Sequence, residues 1–189
     1  MIEYHDYAQR VDERLQEEKL RIWRQLTLAN GRPISLYASA ERGHFAGRSI
    51  HLFLTYIKTA SPDDFDRFST DCFDYALKAC QMPLAKQMIS SCLILPCLAT
   101  HTTFRELALA AEKTEKLKKG DRRDKNSGLK TQFLQTAIMP CLLNLTTHKS
   151  FHSGTQPSWR DSLLKEAEEI LLKTVVSANI EKSIEADRR

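Results

Sequence analysis

Scarcity is the first guide to this chain of 189 residues, because few residue types are abundant enough to suggest an activity. Glycine and proline number six each, too few for a turn-rich all-β sandwich or barrel. Five cysteines, an odd number without regular close spacing, do not make the disulfide framework of a small secreted domain. The opening Met1-Ile2-Glu3-Tyr4-His5-Asp6 is acidic and lacks an apolar run, so neither a signal peptide nor a transit peptide is expected. Long apolar runs are also missing. The longest uncharged stretch, Gln87 to Phe104, is interrupted by Ser90, Ser91, Pro96, Thr100 and His101, whereas a membrane span needs about 20 mainly apolar residues. It reads as a buried helix, and so does Thr131 to Thr147. Asn144-Leu145-Thr146 matches a glycosylation sequon, which has no consequence without secretion. The expected location is intracellular, cytoplasmic or nuclear, with reduced thiols.

What is present supports a packed domain. Hydrophobic residues make up 42% of the chain and charged residues 28%, enough for a core and a solvated surface. Segments read as helices at three-to-four-residue spacing, and none alternates well enough to be taken as a strand. The clearest spans Glu3 to Ala29, where Tyr4, Ala8, Val11, Leu15 and Ile22 recur, broadened by Trp23 and Leu26. Asn30-Gly31 followed by Pro33 reads as its cap and stop. Ile50, Phe53, Leu54 and Ile57 suggest another helix. Ser61-Pro62-Asp63-Asp64 opens a further one, with a serine N-cap, proline at N1 and early carboxylates; its expected buried stripe is Phe65, Phe68, Cys72 and Ala76. Helices are also expected from Leu84, around Leu107, from Leu129 to Leu145, and from Ser158 through Val175. The expected fold is all-α: six to eight helices in a compact irregular bundle or a short solenoid. The division is an N-terminal amphipathic helix over 1–30, with projection as an oligomerisation arm as one option, and a helical domain over 31–189 with an exposed basic loop at 118–128. Ile94-Leu95-Pro96-Cys97-Leu98 and Ile138-Met139-Pro140-Cys141-Leu142 resemble each other at an offset of 44 residues, a spacing compatible with a helical repeat.

Catalytic patterns are weak. Cys92, Cys97 and His101 could begin a metal site, but structural zinc wants four ligands in short-spaced pairs, and free cysteine is most often core. Gly43-His44-Phe45-Ala46-Gly47-Arg48-Ser49 is one residue short of a phosphate loop and has arginine for its lysine. Asp63, Asp64, Asp66, Asp71 and Asp74 read as a solvated helix face. No enzyme, metal, cofactor, membrane or small-molecule substrate is therefore expected.

Charge distribution says more than the formal net charge of +4. Residues 30–60 carry a net +3 and residues 112–130 a net +4, against −3 for the remainder. Arg42, Arg48, Lys116, Lys118, Lys119, Arg122, Arg123 and Lys125 are the candidates for contact with a phosphate backbone or an acidic partner. Tyr4, Val11, Leu15, Ile22, Trp23 and Leu26 are the candidates for self-association into at least a dimer. The expected function is a non-enzymatic binding or regulatory protein, a protein–protein interaction scaffold; the alternative is an oligomeric helical protein that binds RNA or DNA.

Overall fold

The computed structural model describes residues 3–28, 30–42, 48–79, 91–103, 107–109, 135–152 and 161–180. It overturns the all-α expectation: a seven-stranded mixed sheet carries helices on its faces, an α/β fold. In chain order the elements are α1 (Tyr4–Glu17), β1 (Arg21–Thr27), β2 (Pro33–Arg42), β3 (Arg48–Tyr56), α2 (Pro62–Ala79), β4 (Ser91–Thr100), β5 (Gln135–Ile138), β6 (Cys141–Asn144), β7 (Ser150–His152) and α3 (Asp161–Leu171). A π-helical turn, Leu172–Val176, continues α3. The spatial order is β1-β2-β3-β4-β6-β7, with β5 also against β4. Strands β1, β2 and β3 form an antiparallel meander, β3, β4 and β6 run parallel, and β7 returns antiparallel to β6.

Both sheet faces are buried. Tyr7, Val11 and Leu15 of α1 join Ala167, Ile170 and Val175 over Leu36, Leu52, Leu95 and Cys141. On the other face Phe65, Phe68, Cys72 and Ala76 of α2 cover Phe53, Ile94, Leu98 and Leu142. The stripe expected for α2 is therefore the buried one. Its start is a capping box: Ser61 Oγ accepts from the Asp64 backbone N–H at 3.2 Å, and Asp64 Oδ2 accepts from Ser61 N at 3.0 Å and from Ser61 Oγ at 2.6 Å.

Double-sided burial explains the misread segments. A parallel strand covered on both faces reads as an unbroken apolar run. Residues 92–100 of β4 are all buried, as are 141–144 of β6, so alternation is absent from both. The segments expected as helices around Ile50–Ile57, Cys92–Leu95 and 129–145 instead contribute β3, β4, β5 and β6 where described. The 44-residue similarity is no solenoid repeat but the pairing register: Ile94 lies beside Ile138, Cys97 beside Cys141 and Thr100 beside Asn144. Pro140, which has no N–H to donate, separates β5 from β6, while Met139 N still donates to Ile94 O at 2.9 Å.

The expected helix from Glu3 to Ala29 ends at Glu17. Leu20 N donates to Leu15 O and Lys19 N to Gln16 O, a Schellman stop with Lys19 at φ 58° in the position that favours glycine. Asn30-Gly31 is then a hairpin turn rather than a helix cap. Gly31, at φ 82°, donates to Leu28 O, and Leu28 N donates to Arg32 O, joining β1 to β2.

Candidate functional site at the β1 edge

The two groups of site candidates have different fates. In α1, Val11 and Leu15 are fully buried against this chain's own sheet, and Tyr4 is half-buried and stacked on Tyr56 at 4.6 Å. Contacts through Val11 or Leu15 would require opening that core. Ile22, Trp23 and Leu26 instead lie on β1, the end strand of the described sheet, which among the described residues pairs only with β2. Arg42 ends β2 and Arg48 begins β3, and the register places these two positions directly opposite each other. Lys116, Lys118, Lys119, Arg122, Arg123 and Lys125, and the basic loop at 118–128, lie outside the described residues.

A local inversion shapes β1. Gln25 adopts φ 55°, and the register steps from Arg24↔Leu36 to Leu26↔Ile34 without pairing Gln25 to Ser35. Side-chain direction changes in both strands at that step. Ile22 and Leu36 pack on the α1 face, whereas Leu26 and Ile34 pack on the α2 face. Regular strands would keep positions four or two apart on one face.

Trp23 sits N-terminal to the inversion and, at 44%, is the most exposed aromatic side chain among the described residues. It is not a floppy surface group. Its ring lies 5.0 Å from Tyr37, its register partner, and Tyr37 packs against Phe53 at 4.8 Å and Tyr75 at 5.3 Å. The Tyr37 hydroxyl is 2.8 Å from Nδ1 of buried His51. Arg24, next in sequence, is drawn to α1, with Nε and Nη2 both donating to Asp12 Oδ2 at 2.9 and 2.7 Å. Among the described residues β1 thus offers an unpaired outer backbone and an anchored indole, with Arg24 engaged by Asp12 and Arg21 exposed at its start.

At the carboxyl ends of β3, β4 and β6 the polar groups serve one another. Thr100 Oγ1 donates to Lys58 O, Asn144 Nδ2 donates to Thr102 O, and Asn144 Oδ1 accepts from Thr146 N and Thr147 N. His101 Nδ1 lies 2.7 Å from Thr146 Oγ1. This network ties three strand ends and their turns together.

The thiol candidates are structural in position. Cys92 packs on the α2 face and Cys97 on the α1 face, so the sheet separates the two sulfurs proposed to begin a metal site. Among the described residues no His, Cys, Asp or Glu cluster is arranged to hold a metal ion. Burial, with Cys141 beside it, pushes the Cys97 thiol well up, unlike a reactive thiolate.

Sequence reasoning singled out Trp23 but placed it on a helix, and it did not find the Tyr37–His51–Tyr75 backing. The available signal was the separation of Arg21–Thr27 from Pro33–Arg42 by a turn containing Asn30-Gly31, a hairpin cue. No helix among the described residues is long and apolar enough to cross a membrane. No family model, curated protein or solved structure matches this chain.

Proposed function

We propose that this chain is a non-enzymatic, intracellular protein-binding module whose β1 edge accepts an extended strand from a protein partner. The observation that carries this reading is the pairing of Trp23, exposed and aromatic-backed, with an outer β1 edge that has no strand neighbour among the described residues. Strand addition draws affinity from main-chain hydrogen bonds and specificity from alternate side chains. A tryptophan held in place supplies large contact area at little further entropic cost, which is why such residues dominate binding energy. Natural edges are commonly guarded by charge; here the Arg24 guanidinium is engaged by Asp12 on α1. The free thiols Cys72, Cys92, Cys97 and Cys141 support a reducing compartment.

Displayed-peptide selection on the immobilised protein tests the proposal. Selected extended peptides should bind wild type and lose at least about tenfold in affinity to Trp23→Ala, the scale of a tryptophan hot spot. Selected peptides that bind Trp23→Ala as well as wild type would refute the reading.

A second reading, binding of RNA or DNA, is favoured by one observation: the Arg42 and Arg48 positions are cross-strand partners. Each phosphate contact on a single strand adds about −0.7 to the log–log salt slope. Arg42→Ala with Arg48→Ala should therefore flatten that slope by roughly 1.4. A salt slope unchanged by the pair removes this reading.

A further inference from the structure

Resting on that reading of the β1 edge, we infer that its partner is an acidic extended segment of another protein, with a carboxylate two positions from an apolar residue. Residues 19–27 carry Lys19, Arg21 and Arg24 and no acidic residue, and residues 33–40 of β2 alongside carry none either. Lys19, Arg21 and Arg24 are all exposed. Asp12 on α1 holds the Arg24 guanidinium, whereas no described residue forms an ion pair with Arg21. Among the described residues, Arg21 is therefore the cation of β1 left for a partner's carboxylate.

Side chains two apart on a strand share a face. Trp23 packs on Tyr37, which belongs to the core on the α2 side, so Arg21 stands on that same side of β1. The register partner of Arg21, Ser39, carries no charge. An incoming strand, parallel or antiparallel, sets two of its own side chains, also two apart, beside Arg21 and Trp23. An opposite charge across the pair is favourable and a like charge unfavourable, while an aromatic ring favours an aromatic or β-branched neighbour. The same cations disfavour a second copy of this chain. Paired antiparallel over its full length with another β1, the strand would set Arg24 opposite Arg24, with no acid on either strand. Charge on this edge therefore acts twice, repelling its like and selecting its opposite.

Dodecapeptides selected from a display library on the full chain test the partner's chemistry. Those that lose binding with Trp23→Ala should be enriched in Asp or Glu two positions from an aromatic or β-branched residue. Exchanging that acid for its amide in a synthetic peptide should weaken binding about two- to fivefold, the scale of a cross-strand charge pair, and less so at high salt. In Arg21→Gln, verified as folded by circular dichroism, the acid-to-amide loss should disappear, a coupling that a double-mutant cycle reads. In Arg21→Glu a lysine at the same peptide position should bind better than the acid. Trp23-dependent peptides without acidic enrichment, or an acid-to-amide loss that persists in Arg21→Gln, would overturn the acidic partner and leave the β1 docking edge standing. Selected peptides indifferent to Trp23→Ala would overturn both. A dimer of the wild-type chain that Trp23→Ala disperses would give the edge to a second copy and overturn the proposal too.

Discussion

Replacing Lys19 by glycine distinguishes the two ways in which the first thirty residues could be organised, because the sign of the effect reverses between them. In the structure Lys19 follows α1 at φ 58°, where a side chain with a Cβ costs about 1–2 kcal/mol and glycine costs little. Glycine loses more freedom on folding, a penalty of roughly 0.5–1 kcal/mol. The hydrogen bonds of the stop, from Leu20 N to Leu15 O at 3.2 Å and from Lys19 N to Gln16 O at 3.0 Å, use backbone alone and survive the change. Lys19→Gly should therefore stabilise the protein by about 0.5–1 kcal/mol, a rise in Tm of about 1–4 °C for a chain this size. Were the helix continuous to Ala29, position 19 would be helix interior, and glycine would destabilise by up to about 1 kcal/mol. Urea unfolding at equilibrium reads the outcome as a higher midpoint with an unchanged m value. A lower midpoint would refute the Schellman stop and the strand assignment that follows from it.

Tyr7→Phe removes a buried hydroxyl that donates to Val175 O at 3.0 Å, and should cost about 1–3 kcal/mol in urea unfolding by leaving that carbonyl unsatisfied; no loss would show that α1 does not grip the π-helical turn in this way. Hydrogen bonds from the Ser61 side chain, then from its backbone, hold the Asp64 carboxyl below its usual range. A depressed carboxyl stabilises the folded state above its unfolded pKa and loses that contribution as pH falls through the lowered folded value. Ser61→Ala should cost about 1 kcal/mol near neutrality, and the difference from wild type should shrink with acidification; a penalty independent of pH would contradict the capping box. Cys72, Cys92, Cys97 and Cys141 are buried, so Ellman's reagent should reach them only on unfolding; rapid native labelling of Cys97, located by mass spectrometry, would contradict its place between β3 and β6.

Legibility followed the environment of each segment. A helix with one buried face announces itself, and Phe65, Phe68, Cys72 and Ala76 marked α2 along with its Ser61 cap. The seam Val11 and Leu15 identified α1 for the same reason. The central strands carry no such contrast, because β4 and β6 are apolar on both sides and therefore resemble buried helix. At β1 two local features disguised the chain. Lysine rather than glycine occupies the left-handed stop, and the inversion at Gln25 sends Ile22 and Leu26 to opposite faces although their spacing suits one helical face. The 44-residue similarity was visible, but its meaning as parallel register depended on knowing that β4 and β6 are neighbours. Of the candidate site, Trp23, Ile22 and Leu26 could be found from hydrophobicity. Their position on the end strand of the described sheet could not, since that is a property of strand order.

Amide hydrogen exchange of the full chain, with and without a peptide selected on it, tests the β1 docking edge most directly. Slowed exchange centred on Arg21–Thr27, lost in the Trp23→Ala variant, is the expected result. Binding that protects α2 or the carboxyl-end turns while leaving Arg21–Thr27 unchanged would contradict it.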